Sequence, residues 1–296
     1  MFALSALDRT RTDGRCFDYV ECVACGGLQI ETIPSDLESA YGDDYYTAHQ
    51  RHPRAARLLP LRRALARLRL RLRPAFLARA ISGRRYGRFE WFRRTQTGID
   101  DAILDVGCGS GRLLFRLHGE GFRALVGIDP RLAPETAIRG RGCPGVRFER
   151  ADPEAHRGRY LLVMAHHSFE HMADPLRGFE ALAALVAPGG SLLLRVPLAD
   201  SWARVHYGAD WAQLDAPRHL QIPTRASIGR LAERTGLRVE HVVDDSGVFQ
   251  IWGSERSLPR AGAARFIRWL AARRQAARLR RAGEGDQAAF YLRRPT

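Results

Sequence analysis

The chain has 296 residues, of which 45% are hydrophobic, and it carries a formal net charge of +15. This hydrophobic content is enough to build one large core or two smaller ones. Five cysteines are too few for a disulfide scaffold, and no run of about 18 apolar residues suits a membrane span. The first apolar run is too short for a signal peptide, so we expect a cytoplasmic location.

The positive charge is concentrated in two segments. Residues 51–95 contain fifteen Arg and one acidic residue, and residues 256–296 contain eleven Arg and two acidic residues. The rest of the chain is net negative, and the sequence contains no Lys. A net charge of +15 would normally favour a nucleic-acid partner. Because no aromatic interleaving and no known nucleic-acid module accompany the arginines, we do not expect one.

Residues 1–50 show no strong periodicity and contain one Cys-x-x-Cys pair, so we expect an irregular N-terminal region. Residues 51–97 place Leu at helical spacing among arginines and predict a helical connector. Three interpretations of these Arg-rich helices stay open: a cover over the active site, peripheral contact with an anionic membrane, or an ordinary solvated face.

Residues 98–254 alternate strand and helix patterns. The apolar runs "AILDVG", "ALVGID", "GVRFE", "YLLVMA" and "SLLLRVP" are separated by helical segments, which indicates parallel strands joined by crossover helices in a doubly wound α/β sheet. A basic helical segment at about 255–282 precedes a last strand, "AAFYL". We therefore expect one Rossmann-like domain over 98–296, with 255–282 inserted between two antiparallel final strands.

The first of these strands runs into the glycine-rich segment "LDVGCGSG" at 104–111. Glycines at a strand-to-helix turn leave backbone N–H groups bare beside a ligand. The spacing is G-x-G-x-G, because Arg112 occupies the third glycine position of the dinucleotide fingerprint. Asp129 ends the next strand, where it is placed to accept hydrogen bonds from two ribose hydroxyls.

Four segments in order, "LDVGCGSG", "GID", "EHMADPL" and "APGGSLLLRVP", resemble the class I S-adenosylmethionine-dependent methyltransferases. The resemblance covers about residues 98–254 and the final strand. It implies a seven-stranded sheet and S-adenosylmethionine as cofactor. It also implies that Gly107, Gly109 and Gly111 line the amino-acid end of the cofactor, that Asp105 faces its ammonium group and that Asp129 holds its ribose.

Two further cofactor contacts are implied by the same resemblance. Asp152 stands where the family places a carboxylate near the adenine amino group, with a solvated loop acid as the alternative. His166 stands where the family packs residues against the methionyl part. One departure concerns the fourth strand, which begins Arg159-Tyr160 where the family commonly has Phe-Asp.

Candidate acid–base residues follow the fourth strand and recur near residue 219. Glu170 and His171 lie in "HHSFEHMADP", and His219 lies in "DAPRHL". Each histidine suits a general base for the acceptor's proton. The alternatives are that Glu170 and His171 cap the helix beginning near Asp174, and that Asp215 and Arg218 form a structural ion pair.

The "DAPRHL" segment and the paired cysteines Cys22 and Cys25 are similar to a subgroup of these methyltransferases associated with sugars and cell-surface polysaccharides. The resemblance implies a sugar or sugar-linked precursor as the small-molecule acceptor. Tetrahedral zinc needs four ligands. Cys16 and nearby Asp13 or His49 could add to the pair, but nothing in the sequence specifies them. An incomplete knuckle without metal therefore stays open beside a zinc site.

The sequence thus predicts methyl transfer from S-adenosylmethionine to a small acceptor. Two other functions stay open. The first is a methyltransferase fold that serves as a non-catalytic binding or scaffold protein. The second, less favoured by the composition, is a nucleic-acid methyltransferase.

Overall fold

A computed structural model describes residues 3–8, 14–41, 59–71, 86–255 and 263–296. In these segments the strands are β1 (Ala3–Leu7), β2 (Cys16–Glu21), β3 (Leu28–Ile30), β4 (Ile103–Val106), β5 (Leu125–Ile128), β6 (Val146–Glu149), β7 (Tyr160–His166), β8 (Val186–Pro197), β9 (Gln221–Ile222), β10 (Arg238–Asp244) and β11 (Gln287–Arg293). The α-helices are α1 (Leu59–Arg71), α2 (Tyr86–Arg94), α3 (Arg112–Glu120), α4 (Pro134–Arg141), α5 (Pro175–Ala184), α6 (Trp202–Tyr207), α7 (Arg225–Arg234), α8 (Phe249–Trp252) and α9 (Ala263–Ala282).

The central sheet has seven strands in the order β10-β11-β8-β7-β4-β5-β6. Strands β4 to β8 pair in parallel, and β11 pairs antiparallel with both β8 and β10. The seven-stranded α/β fold expected from the sequence is therefore confirmed. Helix α9 lies between β10 and β11 in the chain, within the segment expected to be inserted between two antiparallel strands.

The parallel strands are buried on both faces, which explains their continuous apolar runs. Leu104 and Val163 point into one core with helices α5 and α7. Ile103 and Leu162, their neighbours in sequence, point into the other core. That second core also receives side chains of α1, α2 and α3, so the described helices of the Arg-rich segment pack directly against the sheet.

The N-terminal region is not irregular, contrary to the sequence expectation. Strands β1, β2, β3 and β9 form an antiparallel four-stranded sheet. Tyr19, Leu28 and Ile30 bury one face of it against Trp211. The strands are short, and β9 joins them from about 190 residues further along the chain, so local periodicity could not reveal the sheet.

Many arginines of the helical segment have partners within the protein. Arg63 and Arg67 pair with Asp100, and Arg88 pairs with Glu120. The guanidinium of Arg69 lies over the ring of Phe89. Within the described ranges, no helix has the length and hydropathy needed to cross a bilayer.

Candidate functional site

The turn between β4 and α3, residues 107–111, is called here the glycine turn. Gly107, Gly109 and Gly111 all have positive φ, at 74°, 52° and 69°, a region that L side chains rarely adopt. A Cβ on Gly111 would lie 2.5 Å from the Phe148 ring, and one on Gly107 would lie 2.4 Å from Ser168 Cβ. The geometry therefore requires glycine at these positions.

Asp129 faces the glycine turn. Its Oδ2 accepts a hydrogen bond from Gly109 N at 2.8 Å, and its Oδ1 accepts one from Arg131 N at 2.7 Å. The backbone N–H groups of Gly107 and Cys108 also bond to the carbonyl of Ile128, at the end of β5. The ends of β4 and β5 therefore lie at the same edge of the sheet, with the half-buried Asp129 carboxylate beside glycine main chain. A carboxylate in this place can bind the hydroxyls of a ribose.

Asp105 is buried on β4 next to this edge, only 4% exposed. Burial and the neighbouring charge of Asp129 raise the pKa of Asp105 to about 7. A ligand that brought a positive group to this carboxylate would stabilise its ionised form. The buried acid therefore fits the ammonium group of a bound amino-acid moiety.

His166 ends β7, and its ring packs against that of Trp91 of α2 with centroids 4.6 Å apart and a tilt of 35° between the ring planes. Burial lowers the pKa of His166 well below its usual value, so the imidazole is neutral. Both of its ring nitrogens are buried without a hydrogen-bond partner among the described residues. The guanidinium of Arg195 lies over the ring of Trp91. Arg195 also donates a hydrogen bond to Asp245 at 2.7 Å.

Asp152 follows β6 and is exposed. Its backbone carbonyl accepts hydrogen bonds from Ala155 N and His156 N, both at 3.1 Å. The carboxylate is therefore on a tight turn at the surface. This geometry is compatible with either alternative raised by the sequence, an adenine contact or a solvated loop acid.

Glu170, His171 and His219 come together and are called here the Glu–His cluster. One ligand-type atom from each lies within 4.8 Å of the others. His219 Nε2 is 3.9 Å from Glu170 Oε1 and 3.9 Å from Asp215 Oδ2. The two imidazole rings meet edge to face with centroids 4.9 Å apart. The three candidate catalytic residues are thus neighbours, although 48 residues separate His171 from His219.

The charges of the Glu–His cluster are set by its surroundings. Burial alone would raise the pKa of Glu170, but the hydrogen bond from His167 and the adjacent imidazoles bring it to about 2. Burial and the neighbouring His219 lower the pKa of His171 to about 4. The cluster therefore contains a buried ionised carboxylate beside a neutral imidazole.

Residues 215–219 carry an ion pair that positions His219. Arg218 Nε donates to Asp215 Oδ2 at 3.0 Å, and the fully buried guanidinium also lies 3.7 Å from Asp8. Tyr19 of β2 donates a hydrogen bond to the His219 carbonyl at 2.7 Å. The structural ion pair and the candidate base therefore occur in the same loop, held by the N-terminal sheet.

The capping alternative for Glu170 and His171 is wrong. Asp174 itself caps helix α5, accepting hydrogen bonds from Leu176 N and Arg177 N at 2.9 and 3.0 Å. Glu170 and His171 lie in a short 3₁₀ turn before it. Their side chains are therefore available to the Glu–His cluster.

Ser168 joins the glycine turn to the Glu–His cluster. Its hydroxyl donates to the carbonyl of Val106 at 2.8 Å, and it precedes Glu170 by two residues. Tyr41 makes a second connection, because its hydroxyl lies 3.1 Å from His171 Nδ1 while its ring lies under the guanidinium of Arg131. The two halves are therefore adjacent parts of one site.

Cys22 and Cys25 lie at the turn between β2 and β3, where Cys25 N and Gly26 N bond to the Cys22 carbonyl. All five cysteines are free thiols. Across the described ranges, the residues close enough to share a metal ion in groups of three or more are Glu170, His171 and His219. Asp13 and His49 lie outside the described residues, so a zinc site and an incomplete knuckle without metal both stay open.

A family model described as a methyltransferase domain matches residues 49–242. The chain belongs to this methyltransferase family. The match includes the glycine turn, the Glu–His cluster and the Arg-rich helices α1 and α2.

Curated relatives of this methyltransferase include two ubiquinone biosynthesis O-methyltransferases. The protein from Sodalis glossinidius is 31% identical over 156 residues, covering 48% of this chain and 61% of that protein. The one from Pectobacterium atrosepticum is 29% identical over 153 residues, covering 47% and 63%. The chain therefore spans about three fifths of the length of these relatives. An S-adenosylmethionine-dependent methyltransferase from Mesorhizobium loti aligns with a TM-score of 0.47 and 19% identity, covering 70% of this chain and 97% of that one.

Sequence reasoning missed three residues of this site: Trp91, Ser168 and Tyr41. Trp91 and Tyr41 come from segments that no local motif connects to the sheet edge. Tyr41 was visible only as part of a "YGDDYY" run. Ser168 could have been found, because it lies between the histidines and Glu170 in the loop that follows β7.

Proposed function

We propose that the protein transfers a methyl group from S-adenosylmethionine to a hydroxyl group of a small molecule. The observation that carries this proposal is the meeting of two features at one sheet edge. A glycine turn faced by Asp129 lies next to a buried Glu–His cluster, and the Ser168–Val106 hydrogen bond joins them. Ligands of open α/β sheets bind at such carboxyl-terminal strand ends.

The residues of this edge fit the cofactor. S-adenosylmethionine would supply the electrophilic methyl group. Asp105 would face its ammonium group, Asp129 would accept hydrogen bonds from the two ribose hydroxyls, and the neutral His166 would pack beside the methionyl chain. The main chain of the glycine turn would approach the ligand without side-chain interference. Asp152 would accept from the adenine amino group.

His219 is the proposed base for the acceptor's proton. Its Nδ1 lies 2.7 Å from the Gln213 carbonyl, so Nδ1 carries the hydrogen and Nε2 holds the lone pair. An imidazolium formed by proton transfer to Nε2 would lie 3.9 Å from both Glu170 and Asp215. Two carboxylates would stabilise that charge, while His171 stays neutral and orders the cluster.

For the acceptor we propose a sugar hydroxyl in a polysaccharide or glycolipid precursor. The "DAPRHL" segment supports it, because this segment resembles one in methyltransferases associated with sugars and cell-surface polysaccharides. The segment also supplies His219, Arg218 and Asp215 to the site. A second candidate is a hydroxyl of a quinone precursor. It is favoured by the similarity to O-methyltransferases of ubiquinone biosynthesis.

The test incubates the full chain with S-adenosylmethionine carrying a labelled methyl group and three acceptor panels. These are nucleotide and lipid-linked sugars, polyprenylated dihydroxybenzenes, and RNA. We expect label in a sugar. Label confined to the dihydroxybenzenes would establish the second candidate instead. Tight S-adenosylhomocysteine binding without transfer to any panel would favour a non-catalytic binding protein. Salt-sensitive labelling of RNA would favour a nucleic-acid enzyme.

We also propose peripheral contact with an anionic membrane through α9. Phe266 and Ile267 are 60% and 63% exposed there, next to Arg265 and Arg268. Apolar side chains and arginines together supply the two attractions, burial and charge, by which a helix binds an anionic interface. Flotation with phosphatidylglycerol vesicles should recover the protein, and Phe266→Ser with Ile267→Ser should abolish recovery. No flotation with either lipid would leave α9 as a solvated face. Equal flotation with neutral phosphatidylcholine would contradict a preference for anionic membranes.

A further inference from the structure

The two imidazoles of the Glu–His cluster are both held in the same tautomer. His171 Nδ1 lies 2.8 Å from the carbonyl of Arg218, and His219 Nδ1 lies 2.7 Å from the carbonyl of Gln213. A carbonyl oxygen only accepts hydrogen bonds, so each Nδ1 carries a hydrogen and each Nε2 carries a lone pair. Histidines that bind metal ions are oriented in this way, with the other ring nitrogen donating to a backbone carbonyl.

Glu170, the third residue of the Glu–His cluster, has a carboxylate oxygen without a hydrogen-bond partner among the described residues. The Glu170 side chain is fully buried, and its Oε2 has no hydrogen bond to any of the residues that the structure describes. Buried carboxylate oxygens are normally satisfied, because leaving one unpaired is costly. A cation placed between Glu170 and the two imidazoles would satisfy it.

The local charge also favours a cation. Glu170 and Asp215 each lie 3.9 Å from His219 Nε2, and Asp215 and Asp8 lie beside the guanidinium of Arg218. Acidic side chains therefore outnumber guanidinium groups by three to one in this part of the interior. The low-dielectric interior makes such an excess unfavourable unless a positive ion balances it.

We propose that Glu170, His171 and His219 form a binding site for one divalent cation of the class that accepts imidazole and carboxylate ligands, such as Zn²⁺, Mn²⁺ or Fe²⁺. Three protein ligands leave coordination positions open to an oxygen from another molecule. The role of the ion rests on the proposed function: a metal-bound acceptor hydroxyl is more acidic, so it would release its proton to water before methyl transfer. His219 would then act as a metal ligand through Nε2 and would not be the base. Binding of the ion itself does not depend on that function.

The test titrates the full chain, after dialysis against EDTA, with Mn²⁺ and with Zn²⁺ in a calorimeter. We expect one ion per chain, and at least ~10-fold weaker binding in Glu170→Gln and in His219→Gln. His206→Gln is the matched control, because His206 stacks on Trp202 outside the cluster. Cys22→Ser with Cys25→Ser must keep the ion, which separates the cluster from the Cys-x-x-Cys turn. Circular dichroism checks that each variant is folded.

A Co²⁺ absorption spectrum gives a second readout on the unmutated chain. We expect bands of nitrogen and oxygen coordination without a thiolate charge-transfer band. Absence of a stoichiometric ion, or an ion lost with the two cysteines and kept in Glu170→Gln, would overturn the site. Methyl transfer unaffected by EDTA would overturn its role in the reaction and leave the proposed function intact. If the proposed function is wrong and the ion site is right, the protein will bind the ion but will not bind S-adenosylhomocysteine.

Discussion

The glycine turn and the Glu–His cluster lie at the same sheet edge, but they are built in different ways. The turn is one contiguous segment, and its binding groups are backbone N–H groups with a single carboxylate, Asp129, opposite them. The cluster consists of side chains from two loops, supported by Tyr19 and Tyr41 of the N-terminal region. We therefore expect the turn to govern cofactor affinity and the cluster to govern turnover.

The largest expected effect is on turnover. Glu170→Gln removes the buried charge that stabilises a protonated His219, so we expect kcat to fall about 100-fold or more. The dissociation constant of S-adenosylhomocysteine should change less than about threefold, because the glycine turn is untouched. Steady-state kinetics with the acceptor found by labelling measures kcat, and calorimetry measures the dissociation constant. Glu180→Gln, a surface acid paired with Arg234, is the control.

The next largest effect is on affinity. Asp129→Asn keeps the shape but loses the charged acceptor for the ribose hydroxyls, so S-adenosylhomocysteine should bind about 100-fold more weakly. Calorimetric titration measures the change. Asp200→Asn, a surface acid beside Arg225, should bind like the wild type. If Asp129→Asn instead lowered kcat with unchanged affinity, the division between turn and cluster would be wrong.

The third effect concerns the conformation of the glycine turn. Gly107→Ala places a Cβ 2.4 Å from Ser168 Cβ at a φ of 74°, so we expect a loss of about 1–3 kcal/mol in the free energy of unfolding. Adding Ser168→Gly should recover part of that loss. Urea denaturation measures both. Gly229→Ala in α7, where a new Cβ meets nothing within 4 Å, should stabilise the protein by contrast.

The fourth effect is a pH dependence of stability at Asp105. Its pKa is raised by burial and by Asp129 to about 7, so the folded protein keeps a proton that the unfolded chain loses at lower pH. Stability should therefore fall as pH rises towards 7, and Asp105→Asn should escape this loss. We expect the variant to match wild type near pH 4 and to exceed it at pH 8 by up to about 4 kcal/mol. Thermal unfolding against pH measures it, with exposed Glu233→Gln as control; parallel curves for Asp105→Asn and wild type would contradict it.

The same contrast explains what the sequence could predict. Alternating apolar runs and the glycine segment are local, so the seven-stranded fold and the position of Asp129 beside the turn could be anticipated. Glu170, His171 and His219 could be named as candidates, but not their contact, which depends on how distant segments pack. The N-terminal sheet was missed for the same reason, since β3 pairs with β9 almost 200 residues away.

The most direct test of this account is a crystal structure of the protein with S-adenosylhomocysteine. We predict that both ribose hydroxyls lie within hydrogen-bond distance of the Asp129 carboxylate, that the amino-acid end lies along the glycine turn, and that the sulfur faces the Glu–His cluster. A ligand bound elsewhere, or one whose sulfur points away from Glu170, His171 and His219, would contradict the account.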